Sequence, residues 1–217
     1  MKIKKAMILA AGLGTRMRPH TLTIPKPLIK VGEKNLLERG INLLIEHGIN
    51  EIVINVHHLA GKIKNFLSSQ NYKIKIIISD ETKELLDTGG GILNGTKVFK
   101  NEPFVALNPD TLWRSSYNKE LQLLEELYFL KKKPCILIID KNKSFDPSFK
   151  GDFNINNNII TRDQKNSYIF TGLQILNQNI FNFQKEKIFS MNKVWSHLIA
   201  KKDLFGIKSN QKFYHLN

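Results

Sequence analysis

Directly after its first apolar run, the chain carries the stretch Leu9-Ala10-Ala11-Gly12-Leu13-Gly14-Thr15-Arg16-Met17-Arg18-Pro19. Small residues and two glycines allow backbone N–H groups to approach an anion closely. The carboxyl end of a strand is also where open α/β sheets bind their ligands. The stretch therefore predicts a phosphate-binding loop in an α/β protein.

The spacing of this stretch excludes two common phosphate loops. A P-loop requires Gly-x-x-x-x-Gly-Lys-Ser/Thr, which is absent from the sequence, and the dinucleotide-binding loop requires a small residue where Met17 stands. Arg16 and Arg18 follow the glycines, and an arginine there can bind phosphate oxygens in a bidentate manner. The alternative is an ordinary tight turn with surface arginines.

A second short motif, Pro25-Lys26-Pro27, follows soon after. The two prolines restrict the backbone on either side of Lys26 and so present its ammonium group at a defined place. Lysine is a compact point charge suited to phosphate. The same tripeptide also occurs in ordinary surface loops, so it is weak evidence alone. Its spacing along the chain from the glycine loop is what supports a phosphate-binding role for Lys26.

Apolar runs of strand length alternate with segments of helical period, which predicts a mostly parallel sheet with helices on both faces. The predicted strands are Ala6–Ala10, Glu51–Val56, Lys73–Ile78, Phe104–Leu107 and Pro134–Ile139. The predicted helices are Leu36–His47 with Gly48 as its left-handed cap, Leu59–Leu67, Ile92–Phe99 and Leu121–Leu130.

After about residue 140 the sequence becomes less regular. Turn formers cluster between Lys141 and Gly151, and three asparagines at 156–158 separate two short apolar runs, which predicts a hairpin. We expect a strand at Tyr168–Leu176, a helix at Met191–Lys201 and short strands near Phe205 and Phe213. The sequence thus predicts one domain over residues 1–217, with a main part at 1–140 and a smaller lobe at 141–217 that share one core.

The composition excludes several classes of protein. With 33 Lys and Arg against 19 Asp and Glu, the formal net charge is +14, but only five of the basic residues are arginine and no nucleic-acid-recognition motif occurs. We interpret the excess as a solvated lysine surface and expect no nucleic-acid partner. Cys135 is the single cysteine, no apolar run approaches the ~20 residues of a membrane helix, and we expect a cytoplasmic protein without a membrane partner.

The glycine stretch followed by Pro25-Lys26-Pro27 resembles the signature of the sugar-1-phosphate nucleotidyltransferases, Gly-x-Gly-Thr-Arg-(Leu/Met)-x-Pro and then Pro-Lys-Pro. The resemblance implies a Rossmann-like α/β fold with a small sugar-binding lobe. It also implies a nucleoside triphosphate and a sugar 1-phosphate as substrates. By this resemblance, the triphosphate contacts lie at Ala11, Gly12, Gly14, Thr15 and Arg16, and Arg16 and Lys26 are the catalytic residues.

Two further segments resemble landmarks of that family. Asn108-Pro109-Asp110 is similar to a strand-end Asn-Gly-Asp, which implies that Asp110 binds Mg²⁺; the alternative is a helix cap. Leu86-Asp87-Thr88-Gly89-Gly90-Gly91-Ile92 resembles a run found in N-acetylmuramate-1-phosphate uridylyltransferases and in proteins labelled mannose-1-phosphate guanylyltransferases. That similarity implies that Gly89 and Gly90 lie against the base and ribose, with UTP favoured and GTP as the alternative.

The smaller lobe carries weaker similarities. Gly151-Asp152-Phe153 and Phe170-Thr171-Gly172 resemble segments that line the sugar-phosphate half of the pocket, so the resemblance implies sugar-phosphate contacts at Asn108, Gly151, Asp152 and Thr171. The alternative is that they are ordinary turn and strand residues.

The last residues depart from the family pattern. Relatives commonly show Trp-x-Asp-(Val/Ile)-Gly-Thr, whose aspartate is a second magnesium ligand, whereas His215 stands at the matching position here. Imidazole is a poorer Mg²⁺ ligand than carboxylate. Two interpretations remain: Asp110, nucleotide phosphates and water hold the ion, or activity is weakened. We also expect a C-terminal end that is short relative to the family. Oligomeric state is open.

Overall fold

A computed structural model of the chain describes residues 2–216. The strands, in chain order, are β1 (Lys5–Leu9), β2 (Lys30–Val31), β3 (Lys34–Asn35), β4 (Glu51–Val56), β5 (Lys75–Asp80), β6 (Phe104–Leu107), β7 (Cys135–Asp140), β8 (Asn154–Asn156), β9 (Ile159–Thr161), β10 (Tyr168–Leu176) and β11 (Phe205–Ser209). The helices are α1 (Leu36–His47), α2 (Ala60–Ser69), α3 (Asp87–Gly95), α4 (Asn118–Lys131) and α5 (Met191–Ala200).

Among residues 2–216, nine strands form one continuous sheet in the order β5-β4-β1-β6-β10-β7-β11-β9-β8. Strands β5, β4, β1 and β6 are mutually parallel, β11 runs parallel to β7, and β10 is antiparallel to both β6 and β7. The predicted α/β class with a mostly parallel central sheet is confirmed. Strands β2 and β3 form a separate small hairpin.

Successive side chains along the strands point alternately into two apolar cores, one on each face of the sheet. In β1, Ala6 and Ile8 point into the core covered by α1, α2 and α4, while Met7 points into the core covered by α3 and α5. This follows from the period of two along a strand. The helices therefore cover both faces, as the alternating sequence pattern predicts.

Helix α1 shows how local sequence sets an element boundary. The Asn35 side chain accepts a hydrogen bond from the Glu38 N–H at its start, and Gly48 ends it in the left-handed conformation at φ 99°. Both are standard helix-capping interactions. The predicted bounds and the predicted Gly48 cap are confirmed.

The predicted helix at Ile92–Phe99 is displaced: α3 spans Asp87–Gly95, and residues 96–99 form a short 3₁₀ turn. Three consecutive glycines disfavour a helix locally, but here they lie inside one, because segment 187–189 packs directly against them. The Gly89 and Gly90 N–H groups both donate to the Phe189 carbonyl.

Residues 141–216 add strands to the same sheet. The predicted hairpin is present as β8 and β9, with Asn157 and Asn158 at positive φ in its turn, and β10 lies in the middle of the sheet. The predicted strand near Phe213 is wrong: within the described residues, that segment forms only isolated bridges, from Phe213 to Ser144 and from His215 to Thr111. None of the helices in residues 2–216 combines the length and hydropathy that a membrane span requires.

Candidate active site

The glycine loop leaves the carboxyl end of β1, near the middle of the sheet. Gly14 has φ 62°, and a Cβ added there would meet Thr21 Cγ2 at 2.9 Å, so both the backbone and the packing require glycine. The Gly14 carbonyl accepts hydrogen bonds from the Met17 N–H and the Thr21 hydroxyl. A Cβ at Gly12, by contrast, would meet nothing within 4 Å. The loop is thus anchored at Gly14 and open at Gly12.

A cavity of about 350 Å³ lies over this loop. Residues from the glycine loop, the Pro-Lys-Pro turn, the ends of β4, β5 and β6 and the start of α3 line it. They are Leu9, Ala11, Gly12, Leu13, Gly14, Thr15, Arg16, Met17, Lys26, Pro27, Leu36, Asn55, Glu81, Leu85, Asp87, Thr88, Asn108, Pro109 and Asp110. The structure therefore brings the predicted triphosphate residues, both predicted catalytic residues, Asn108 and Asp110 to one cavity.

The Lys26, Asp110 and His215 side chains converge at one end of the cavity. Lys26 Nζ lies 2.9 Å and His215 Nε2 lies 3.2 Å from Asp110 Oδ2. Burial raises the pKa of Asp110, but the hydrogen bonds and charges of His215 and Lys26 outweigh it and lower the pKa to about 2. Asp110 is therefore an ionised carboxylate at neutral pH.

Backbone pairing places His215 beside Asp110. Thr111 and His215 form an antiparallel bridge, the Leu112 N–H donates to the Tyr214 carbonyl, and the Leu216 N–H donates to the Asp110 carbonyl. The C-terminal segment thus runs alongside the residues that follow β6.

The donor set fits a single hard cation only in part. Asp110 Oδ1 is buried and has no hydrogen-bond partner among the described residues, so one carboxylate oxygen is available as a ligand. No group of three or more His, Cys, Asp and Glu side chains suited to a metal occurs in residues 2–216. Mg²⁺ is commonly held by one or two carboxylates together with substrate phosphates and water. A site built on Asp110 is therefore chemically possible, with His215 as a poor contributor.

Gly89 and Gly90 do not line the cavity. They are buried within α3, where a Cβ at Gly89 would lie 2.4 Å from the Phe189 ring and one at Gly90 would lie 2.3 Å from the Lys187 carbonyl oxygen. The structure therefore places them in helix packing, contrary to the expected base and ribose contacts. Asp87 and Thr88, which begin α3, line the cavity instead.

Three of the four expected sugar-phosphate residues also lie outside the cavity lining. The Thr171 hydroxyl is buried and donates to the Leu137 carbonyl, and Gly151 packs against the Asn166 backbone. Asp152 Oδ2 accepts a hydrogen bond from the Phe170 N–H, and burial raises the pKa of Asp152. The Phe170 hydrogen bond and the nearby Arg162 and His215 side chains oppose that rise without cancelling it.

Sequence reasoning missed two buried polar residues in the cavity wall, Asn55 and Glu81. Asn55 Oδ1 accepts a hydrogen bond from the Ala10 N–H, and Asn55 Nδ2 donates to Glu81 Oε1. The signal that could have found Asn55 is a polar residue inside the otherwise apolar strand Ile52–Val56. Buried polar groups are rare unless a partner requires them.

Comparison with known proteins identifies nucleotidyltransferases as relatives of this chain. The sequence profile of the family described as "Nucleotidyl transferase" matches residues 5–144. An N-acetylmuramate alpha-1-phosphate uridylyltransferase of Caulobacter vibrioides is 27% identical over 221 residues, which cover 98% of this chain and 91% of that protein. A D-glycero-alpha-D-manno-heptose 1-phosphate guanylyltransferase of Campylobacter jejuni is 32% identical over 194 residues, 87% of this chain and 83% of the relative.

A solved structure extends the similarity to the fold. The crystal structure of HddC from Yersinia pseudotuberculosis complexed with GMP-PN superposes with a TM-score of 0.76 at 23% identity, and covers 99% of this chain and 93% of that one. At that identity the likeness supports the fold alone.

Proposed function

We propose that this chain, which belongs to the nucleotidyl transferase family and is a sugar-1-phosphate nucleotidyltransferase, acts on UTP and N-acetylmuramate 1-phosphate. The observation that carries the proposal is the meeting of the glycine loop, Lys26 and Asp110 in one cavity at the carboxyl end of the central strands. The uridylyltransferase that aligns over almost the whole chain supports the substrate pair.

The residues of this cavity can position the substrates and offset negative charge in this reaction. A sugar-phosphate oxygen attacks the α-phosphorus of the triphosphate, a new P–O bond forms, the bond to the β-phosphate oxygen breaks, and pyrophosphate leaves. Phosphoryl transfer depends chiefly on positioning and on offsetting negative charge. Backbone N–H groups of Gly12, Gly14 and Thr15 cradle the triphosphate, and Arg16 binds its β- and γ-phosphates.

Lys26 and Asp110 act at the reacting centre. The Lys26 ammonium offsets charge on the phosphates around the α-phosphorus, and its ion pair with Asp110 fixes its position. Asp110 Oδ1 would hold Mg²⁺, and the bound ion would supply further neutralisation of the phosphate charge. Asn108, which follows β6, contacts the sugar phosphate, and His215 lies beside Asp110 at that end of the site.

A pyrophosphate-release assay tests both the proposed reaction and the proposed substrates. The protein is incubated with each of the four ribonucleoside triphosphates, Mg²⁺ and a panel of sugar 1-phosphates that contains the N-acetylmuramate, mannose and glucose compounds. We expect the highest rate with UTP and N-acetylmuramate 1-phosphate. Release with no pair would contradict the proposal.

Arg16→Ala and Asp110→Ala test the assigned roles. Each variant loses a charge that acts on the phosphates or the metal, so we expect at least about a tenfold loss of turnover, equivalent to ~1.4 kcal/mol. Turnover equal to that of the unmodified protein in either variant would refute that residue's role.

A second substrate pair is GTP with mannose 1-phosphate. The guanylyltransferase relative at 32% identity supports the nucleotide of this pair, although its name gives a heptose 1-phosphate as the sugar. A third outcome, nucleotide binding without turnover, is motivated by His215 in contact with Asp110. Calorimetry that detects UTP binding while no pyrophosphate forms would favour it. Activity gained on His215→Asp would then identify the missing carboxylate as the cause.

A further inference from the structure

A buried chain of hydrogen bonds connects two walls of the cavity, and the mechanism above does not use it. Asn55 lies in β4, beside β1, and is 2% exposed. Its Oδ1 accepts from the Ala10 N–H at 2.7 Å, at the start of the glycine loop, and its Nδ2 donates to Glu81 Oε1 at 2.7 Å.

Glu81 continues the chain to helix α3. It follows β5, is 3% exposed, and its Oε2 accepts from the Leu86 N–H at 3.1 Å. Leu86 immediately precedes Asp87 and Thr88, which line the cavity. The bridge Ala10–Asn55–Glu81–Leu86 therefore spans β1, β4 and β5 and ties the glycine loop to the first residues of α3.

The packing around this bridge leaves no spare room. A Cβ added at Gly91 would lie 2.9 Å from both Asn55 Nδ2 and Glu81 Oε1. The third glycine of the Gly89–Gly91 run therefore makes space for the bridge itself. A buried carboxylate is also costly unless its oxygens are hydrogen-bonded, so Glu81 depends on both of its donors.

We propose that Asn55 and Glu81 are positioning residues for the nucleotide, which fix the distance between the glycine loop and the start of α3. The inference rests on the proposed function. The bridge sets the width of the cavity that receives the triphosphate, so its loss weakens nucleotide binding more than it slows the chemical step. Neither residue is assigned a part in bond making.

A donor–acceptor exchange tests the proposal. In Asn55→Asp, the carboxylate introduced at position 55 faces the Glu81 carboxylate, and neither can donate a hydrogen bond. In Glu81→Gln, the amide NH₂ introduced at position 81 must face either the Asn55 NH₂ or the Leu86 N–H, and two donors cannot bond to each other. Each single variant therefore breaks the bridge. In the double variant Asn55→Asp/Glu81→Gln, the amide introduced at position 81 donates to one oxygen of the carboxylate introduced at position 55 and accepts from the Leu86 N–H. The other oxygen of that carboxylate accepts from the Ala10 N–H. Every hydrogen bond and the net charge are kept.

We expect each single variant to raise KM for the triphosphate at least about tenfold, while kcat changes by less than about threefold. The double variant should return KM to within about threefold of the value for the unmodified protein. The dissociation constants of UTP and GTP, measured by calorimetry, should follow the same pattern.

Thr96→Val is the matched control. It removes the buried hydroxyl that bonds the Ile92 carbonyl at the other end of α3, outside the cavity lining. We expect it to lower the melting temperature without a change in KM. Single variants that lose stability like Thr96→Val but keep the unmodified KM would overturn the proposal. So would a stable double variant whose KM stays raised, because the charge at position 81, rather than the bridge, would then be what the nucleotide requires.

Two further results complete the test. If a single variant does not fold, Gly91→Ala replaces it in the test. The added methyl group presses on Asn55 Nδ2 and Glu81 Oε1 but keeps every hydrogen-bonding group. It should raise KM for the triphosphate, and an unchanged KM would count against the bridge. If the unmodified protein binds nucleotide but releases no pyrophosphate, the proposed reaction fails alone, and the calorimetric constants still decide the bridge. If it binds no nucleotide, both fail.

Discussion

Lys26 shows how a single side chain is fixed for function. Lys26 lies between Pro25 and Pro27 at the start of a short 3₁₀ turn, Lys26–Leu28, and its ammonium group is 2.9 Å from Asp110 Oδ2. The prolines restrict the backbone and the carboxylate restricts the side chain, so little conformational freedom would remain to be lost on the phosphate binding that we propose. The sequence identified Lys26, and the structure supplied the partner that orients it.

Lys26→Ala should lower kcat at least about tenfold, because one positioned positive charge near the reacting phosphate is lost. Lys75→Ala is the control: Lys75 pairs with Glu51 on the exposed end of β5 and does not line the cavity. Steady-state kinetics with both substrates measure the effect. Equal kcat values in the two variants would contradict the role of Lys26.

His47 gives the protein a pH-dependent stability away from the cavity. Burial lowers the pKa of His47, and the attraction of Glu125, whose Oε2 is 3.3 Å from its Nε2, does not offset that effect. The unfolded chain, with a His pKa near ~6.5, therefore binds more protons than the folded chain as pH falls. The stability from neutral His47 is full above pH ~6.5 and is lost as pH falls through the lower folded-state pKa.

Urea unfolding at pH ~7.5 and at pH ~5.5, on either side of the unfolded-state His pKa, tests this linkage. The unmodified protein should lose stability between the two values, and His47→Asn, which keeps a polar side chain without that titration, should lose less. Equal losses in the two proteins would assign the pH dependence to other groups.

At the scale of elements, α3 is the helix whose position the sequence misplaced. Its glycines are unfavourable to a helix by local propensity, but segment 187–189 approaches so closely that only glycine fits at positions 89 and 90. A residue-by-residue propensity cannot contain this information, because the segment that decides it lies far later in the chain.

Gly90→Ala should therefore destabilise the protein by at least about 1 kcal/mol, because its Cβ would lie 2.3 Å from the Lys187 carbonyl oxygen and the backbone would have to move. Gly61→Ala in α2 is the matched control, since a Cβ there meets nothing within 4 Å. It should stabilise by about 0.5 kcal/mol through helix propensity. Denaturant midpoints measure both. A Gly90→Ala variant at least as stable as Gly61→Ala would show that segment 187–189 can move away.

At the scale of the whole molecule, β10 joins the two parts of the chain. It lies between β6 and β7 and pairs with both, and the core under α3 and α5 takes residues from both sides of position 140. Within the described residues, 2–140 and 141–216 therefore build one sheet and share its cores.

We expect the chain to unfold as one cooperative unit. Trp113 lies in the core under α1, α2 and α4, and Trp195 lies in the core on the opposite face. The single-tryptophan variants Trp113→Phe and Trp195→Phe each leave one reporter, and each should show one transition in which fluorescence and circular dichroism coincide. In residues 1–140 alone, β6 keeps β1 but loses β10, and β7 loses both of its partner strands, so this fragment should show no cooperative transition. Two separate transitions would indicate independent units.

The sequence by itself determined the elements and the chemistry that depend on neighbours along the chain. Hydrophobic period located most strands and helices, and Asn35 and Gly48 bound α1 by local hydrogen bonding and backbone conformation. The glycine loop and Lys26, to which we assign phosphate contacts, lie in short motifs that the sequence shows directly. Only the tertiary structure decided the contacts between distant segments. Such contacts join residues that are far apart in sequence, so they form only when the folded chain brings both partners together. They include the position of β10, the packing of Gly89 and Gly90, the approach of His215 to Asp110 and the Asn55–Glu81 bridge.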